Sequence, residues 1–446
     1  MIRALVQQAL LLTTAVAVLG AQSPKTRIDS YTLPNGLTVH LVEDHSSQVV
    51  AVDLWYNVGS RNEVKGRTGF AHLFEHMMFQ GSGNVKKGDH MALLGDAGGE
   101  LNGSTRADVT NYYEYLPSNR LNLALWLEAD RMRSLAITPE NLKNQQEAVK
   151  EERRLRVDNQ PYSGALVEGL PTLWDATSCF AYAHPSIGSM DDLNAATVGD
   201  VQAFFNLYYA PNNATLVVVG DFTPADARKM IAQYFGDIPR GKDAPAVQCT
   251  QTLGTAARRT VFPDKNATLP AALIAYRIPA VNHKDYPALE LLGTILGGGE
   301  SSRFNRVLGR EAKLTIANQA LVNPFGPTRG PGAWAALAVA NQGVPIESAE
   351  KLMMSEIARV VTDGVTDAEV TKAKNAYRYG KVSERQQALF FAEAVHFAAM
   401  FLGDVKAVDT DLDRYDAVTA ADIKRVAATY LQPANSLTLI IQPEKK

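Results

Sequence analysis

Cysteine is the scarcest residue with chemistry to offer in this chain of 446 residues: Cys179 and Cys249 are the only two, 70 positions apart. One such pair cannot make the scaffold of a disulfide-rich domain, and neither residue has the close spacing of a thiolate metal site. The sequence leaves their redox state open. Histidine is also sparse, with eight in the whole chain, which argues against the His-rich tracts of a metal store. Positive charge is not in excess, since 44 Lys and Arg face 47 Asp and Glu. A surface built to grip a phosphate backbone is therefore excluded, and nucleic acid is not an expected partner. Beyond the amino terminus no apolar run is long enough to cross a bilayer.

What is present begins with a leader. Met1-Ile2-Arg3, the apolar run from Ala9 to Leu19 and the small residues Gly20 and Ala21 read as a secretory signal peptide over 1–21. An uncleaved amino-terminal anchor is the competing reading. Cleavage near Gly20 or Ala21 would release an exported protein, most simply a bacterial periplasmic one, with no stable membrane insertion afterwards. At 46% hydrophobic and 20% charged residues the rest can bury substantial cores. The length prior suggests roughly two to three domains of usual size.

Tyr31 to Val42 reads as strand, turn, strand about Asn35-Gly36, and Val49 to Val58 and Asn111 to Leu116 read as further strands. Thr138 and Pro139 open a long helix as its cap and first helical residue. Leu142, Val149 and Leu155 mark its apolar side, and Glu152 falls on the same inward stripe, where a carboxylate wants a cation. At an offset of 222 the chain matches itself: Ala195, Thr197, Asp200, Tyr208, Pro211 and Asn213 meet Ala417, Thr419, Asp422, Tyr430, Pro433 and Asn435 without a gap. The chain is therefore expected to be two copies of one α+β unit, over 28–236 and 251–446, joined by a linker at 237–250 rich in breakers and charge.

The rest of the chain is organised around Gly69 to Phe79. His72 and His76 lie four apart and Glu75 falls on the same side, so on a helix all three reach one point. The other residues of the run are apolar nearly all round, the pattern of a helix buried on every side. Two imidazoles and a carboxylate are costly there unless paired or ligated. Zinc held by the histidines, with a nearby carboxylate as base, removes that cost. The same spacing also arises by chance on core or surface helices. A catalytic zinc needs a third protein ligand, and Glu152 is the candidate for its inward position and its type. Ala288 to Gly293, in the corresponding helix of the second half, contains no histidine.

The order His72-Leu73-Phe74-Glu75-His76 reverses the commoner His-Glu-x-x-His and is the inverzincin signature. With Asn102-Gly103-Ser104-Thr105, Thr110-Asn111-Tyr112 and Val149 to Arg154, it resembles the pitrilysin/insulinase family of metallopeptidases, M16. Within that family it looks most like the short-chain subfamily, M16B, that includes the mitochondrial processing peptidases. Members carry a ligand Glu about 75 residues after the histidine pair, and 75 residues separate His76 from Glu152 here. The likeness continues, more loosely, into Gly297 to Arg303.

The resemblance implies an α+β fold of two similar halves, each an antiparallel-rich sheet with helices packed on it, forming a clamshell around an unfolded peptide. It implies a zinc-dependent endopeptidase with one Zn2+ per chain. His72, His76 and Glu152 would be the metal ligands and Glu75 the base that takes a proton from the attacking water and passes it to the leaving amine. Asn102, Gly103, Ser104 and Thr105 would pair with the peptide backbone by strand addition. Two departures from the family stand out. Gln145 replaces a supporting Glu seven residues before the ligand, and Arg310 is kept in the second half without the tyrosine that follows it in active relatives. The subfamily includes two-chain assemblies, so a homologous partner subunit is expected, as a heterodimer or alternatively a homodimer, with this chain bearing the zinc. The competing reading is a non-catalytic structural or peptide-binding subunit. Such relatives usually lose the metal residues, which this chain keeps.

Overall fold

The computed structural model describes residues 25–444, and the expected signal peptide at 1–21 lies outside them. In the first half, β1 (Asp29–Thr32), β2 (Thr38–Glu43), β3 (Val49–Tyr56), β4 (Glu100–Thr105), β5 (Thr110–Pro117) and β6 (Ala214–Gly220) form one sheet in the order β1-β2-β6-β3-β5-β4. Its helices are α1 (Phe70–Met77), α2 (Asp89–Asp96), α3 (Leu121–Ser134), α4 (Pro139–Arg153), α5 (Met190–Ala195), α6 (Val198–Tyr208) and α7 (Pro224–Phe235). Asn35-Gly36 turns β1 into β2, with Gly36 at φ 96° where a side chain would be strained.

The second half repeats the plan. β7 (Arg258–Asp264), β8 (Ala271–Ile278), β9 (Thr315–Val322), β10 (Gly332–Ala340) and β11 (Ser436–Pro443) form a sheet in the order β7-β11-β8-β10-β9. With it come α8 (Tyr286–Gly297), α9 (Ile346–Thr362), α10 (Asp367–Glu384), α11 (Ala388–Phe401), α12 (Asp411–Asp416) and α13 (Ala420–Tyr430). With β1 set aside, the two strand orders match one for one, including the single parallel pair in each sheet, β2 with β6 and β7 with β11. The 222-residue repeat is thus visible in space. It is marked at α6 and α13 by the same capping box, Thr197 with Asp200 and Thr419 with Asp422.

Each half also covers the other. Strands such as β3, VVAVDLWY, are buried along nearly their whole length, the pattern of a sheet packed on both faces. The outer face of the first sheet, at Val42, Ala51, Val217 and Val219, lies under Ala392, Val395 and Ala398 of α11. The outer face of the second sheet, at Leu273, Ala335 and Leu439, lies under Ala165, Leu170 and Leu173 from the helical turns that follow α4. Each fully buried aliphatic side chain contributes about 1.5–3 kcal/mol, so this exchange fastens the halves together. Trp55 of β3 enters the second core and stacks on His396 of α11 with ring centroids 4.7 Å apart.

Cys179 and Cys249 form a disulfide between the segment after those helical turns and the stretch leading to β7. It closes a loop over a separation of 70 residues. Replacing both cysteines with serine is expected to cost about 2–4 kcal/mol, read as a lower urea midpoint that reductant no longer changes.

Candidate active site

The site is built on α1, whose start is held from outside. Gly69, at φ 82°, has no side chain to cap the helix, and the buried Glu63 carboxylate does so instead. Its Oε2 accepts the N–H of Gly69 at 2.9 Å and its Oε1 that of Ala71 at 2.8 Å, and His184 Nε2 lies 3.0 Å from Oε2. Phe70, Ala71, Leu73, Phe74 and Met77 are buried, and the Phe74 ring centroid sits 4.1 Å from that of Tyr209. The sequence reads as a helix buried on every side. In the structure one stripe, that of His72, Glu75 and His76, stays partly exposed, and His72 lines a cavity.

The glycines at the helix start allow a close backbone crossing. A Cβ on Gly188 would lie 2.4 Å from Gly69 Cα, and Gly188 itself has φ 76°. Gly188→Ala is expected to cost about 2–3 kcal/mol, whereas Gly66→Ala, at φ 81° with open space around it, should cost only about 1 kcal/mol. Equal urea midpoints for the two variants would show that the crossing does not matter.

Helix α4 brings the third candidate ligand. Thr138 caps it through the Asn141 N–H at 3.1 Å, with Pro139 in the first turn as expected. Leu142 and Val149 are buried, but Leu155 is 56% exposed. The helix ends at Arg153 and continues as a wider π turn over Arg154–Asp158, which carries Leu155 off the inward stripe. Glu152 stays inward. Its Oε2 lies 3.4 Å from His72 Nε2 and 3.1 Å from His76 Nε2, while its Oε1 takes Arg156 at 2.8 Å. Two imidazole nitrogens from α1 and one carboxylate from α4 thus share one point.

Burial pushes His72 down to about 4, helped by the charge on His76, so its ring is neutral and free to ligate. Burial opposes a charge on His76, yet its hydrogen bond to Glu152 and the negative charges of Glu75 and Glu152 together outweigh that and raise it. That bond holds Glu152 below the usual carboxylate range. Gln145 is buried behind the cluster, where its amide donates to Asn144 Oδ1 at 2.6 Å and favours the charged form of His76 slightly. Burial raises Glu75, while a hydrogen bond to the Thr105 hydroxyl works against the shift. His72 Nδ1 is buried without a hydrogen-bond partner among the described residues. Two histidines and a carboxylate are a donor set of the type that holds catalytic zinc, and they fit that ion.

A second buried group of metal-type residues, His90, Glu114 and Glu128, differs. Arg131 already spans its carboxylates, with Nη2 3.5 Å from Glu114 and Nε 3.0 Å from Glu128, so it is an ion-paired core.

Strand β4 ends its sheet and leaves one edge unpaired among the described residues. Asn102, Gly103, Ser104 and Thr105 all lie on it, and a Cβ on Gly103 would stand 3.2 Å from Glu75 Cγ. The cavity beside the cluster, about 370 Å³, is lined by His72, Glu152, Thr105 and Arg156, with Trp174 and Phe325 among its apolar walls. Phe325 comes from the second half, on a loop anchored by Arg329, whose Nη2 donates to Asp108 O at 2.9 Å and whose guanidinium also bonds Asn57. Nothing in the residue order singled out the pairing of Glu63 with His184 or this loop, because their partners are more than 100 residues away; Arg156 lies four residues from Glu152, a spacing equally common on a solvated helix face. Arg310 is exposed on a helical turn over Asn305–Glu311 and does not line the cavity.

Two family models match the chain, insulinase (peptidase family M16) over 38–170 and the peptidase M16 inactive domain over 195–377. Among curated relatives, zinc protease PqqE of Helicobacter pylori is 29% identical over 97% of both chains. A probable mitochondrial-processing peptidase subunit beta of Arabidopsis thaliana is 23% identical over 92% of this chain and 77% of its own. The crystal structure of a protease from Helicobacter pylori superposes with a TM-score of 0.88 at 27% identity, covering 94% of this chain and all of that one. The periplasmic protease PqqL from Escherichia coli matches at TM-score 0.75 and 18% identity, over 95% of this chain and 48% of its own. No helix among the described residues is long and apolar enough to cross a membrane. The two sheet-and-helix halves share the architecture of the M16 clamshell structures, and the chain belongs to the M16 peptidase family, where it resembles the mitochondrial processing peptidases.

Proposed function

We propose that this chain is a zinc-dependent endopeptidase that hydrolyses unfolded peptides and is the metal-bearing subunit of a two-chain enzyme. The observation that carries the reading is the meeting of His72, His76 and Glu152 from two separate helices, within 3.4 Å, beside an unpaired strand edge. His72, His76 and Glu152 would hold one Zn2+, which supplies a Lewis acid that polarises a carbonyl and acidifies water. Glu75 takes the proton of the attacking water and returns it to the leaving amine. Gln145 and Arg156 orient the ligands by hydrogen bonds. The edge from Asn102 to Thr105 aligns the peptide by main-chain pairing, and Gly103 lets it approach Glu75.

The two-chain assignment has two supports. PqqL carries a chain about twice the matched length, and Arg310 lies outside the cavity of this chain. We assign the catalytic domain to 28–236, the linker to 237–250 and its homologue to 251–446. Export to the periplasm fits the leader and the disulfide.

The test is peptide hydrolysis by the zinc-loaded chain, alone and mixed with homologous M16 chains that lack the metal residues. Hydrolysis should be weak alone and should rise on mixing. A fully active monomer would refute the two-chain assignment, and no hydrolysis in any mixture would favour the non-catalytic subunit.

A further inference from the structure

The internal repeat places a second cavity where the first half has its candidate active site. The first site lies between α1, α4 and the helical turns that follow. In the second half the corresponding α8, α10 and α11 enclose a cavity of about 460 Å³, within the size range of small-ligand pockets. The other half closes it in the same reciprocal way, here with Trp55 and Arg106. No histidine lines it, so it is not a second copy of the zinc cluster.

Most charges around this cavity are already committed. Lys381 bonds Glu384 at 2.9 Å, Arg414 bonds Asp411 at 2.8 Å, and Arg385 lies 3.7 Å from Asp409. Glu290 of α8 accepts the Tyr415 hydroxyl. That leaves Glu393 of α11 and Arg106. Among the described residues neither side chain has a hydrogen bond or an ion pair; the guanidinium carbon of Arg106 lies 6.0 Å from the Trp55 ring centroid. Burial pushes the Glu393 carboxyl up and the Arg106 charge pulls it back, so the two groups sense each other. Trp55, Tyr377 and Phe397 also line the cavity, with Phe390, which is 41% exposed. An uncommitted cation and an uncommitted carboxylate in one aromatic cavity are costly unless a ligand brings the complementary charges.

We propose that this cavity binds a small zwitterion, an amino acid or dipeptide with an apolar side chain and both ends free, its carboxylate on Arg106 and its ammonium on Glu393. Aromatic walls take the side chain, and they also favour a cation near their faces. None of His72, Glu75, His76 and Glu152 lines this cavity, although Asn323 and Gly326 form a wall common to it and the cavity beside the zinc cluster, and the proposal does not rest on the peptidase reading.

Calorimetry on the full chain, stripped of metal by chelation, tests the proposal with L-phenylalanine, the dipeptide Phe-Phe and N-acetylphenylalanine amide as probes. The free-ended probes should bind, and capping both ends should weaken binding by about tenfold or more. Glu393→Gln should weaken the free-ended probes similarly. Ala394→Phe, which adds bulk at the cavity wall, should abolish binding in a chain whose melting curve shows it folded. The proposal is overturned by equal binding of the capped probe or by no binding of free-ended probes at millimolar concentration. It is also overturned by binding that Glu393→Gln leaves intact but Glu152→Gln removes, since that would place the ligand in the first half. Because zinc is absent throughout, a failed peptidase assay has no bearing on the outcome.

Discussion

Glu75→Gln is expected to slow peptide hydrolysis by roughly a hundredfold to ten-thousandfold and to leave the zinc content at one ion per chain. Glu75 sits one turn from His72 on the same stripe of α1, beside the strand edge where Gly103 leaves room for a substrate backbone. Gln has the same shape and can still bond Thr105, so the helix and its two histidines should be undisturbed. What Gln lacks is the ability to accept a proton. Turnover of a fluorogenic peptide, measured beside metal analysis of the same preparation, separates the two roles. A variant with wild-type turnover would remove Glu75 as the base. A variant that lost its zinc would make it a ligand or a structural residue instead.

Glu152→Ala should give an equally large loss through a different cause. The two histidines reside on one helix of eight residues, whereas Glu152 is the residue that would tie the ion to α4. Without it, two neutral donors remain, and zinc content after dialysis should fall from about one per chain to near zero. Thermal melting gives a second reading. Zinc at a hundred to a thousand times its dissociation constant stabilises the folded chain by about 2.7–4.1 kcal/mol, so adding zinc to chelated wild type should raise the melting temperature by several degrees. The variant should show no such rise. If it binds zinc as tightly as wild type, the third donor is another group and the site as described is wrong.

Much of this site was legible in residue order because it obeys short periods. His72, Glu75 and His76 are neighbours on a helix face by arithmetic, and Thr138 with Pro139 announces a helix start. The capping boxes at Thr197 and Thr419 betrayed the repeat, since the same cap calls for the same residues wherever the fold recurs. Leu155 went astray because a π turn inserts an extra residue and shifts every later side chain round the axis. The buried cap on α1 was invisible, since Glu63 and His184 are 121 positions apart and only packing brings them together. The pairing of Cys179 with Cys249 was equally silent, because two cysteines carry no spacing signal in a chain this long.

Residue order by itself determined that the chain is two related α+β units, that one of them carries an inverted histidine motif on a helix, and that a carboxylate faces inward on another. These are local properties, set by periodicities of two and 3.6 residues and by capping chemistry within a few positions. Tertiary structure alone decided that Glu152 meets both imidazoles, that each half lends helical turns to cover the other's sheet, and that Arg106 and Glu393 are left uncommitted in a shared cavity. Those facts depend on how apolar faces far apart in the chain are removed from water together, and no local pattern encodes the distance between them.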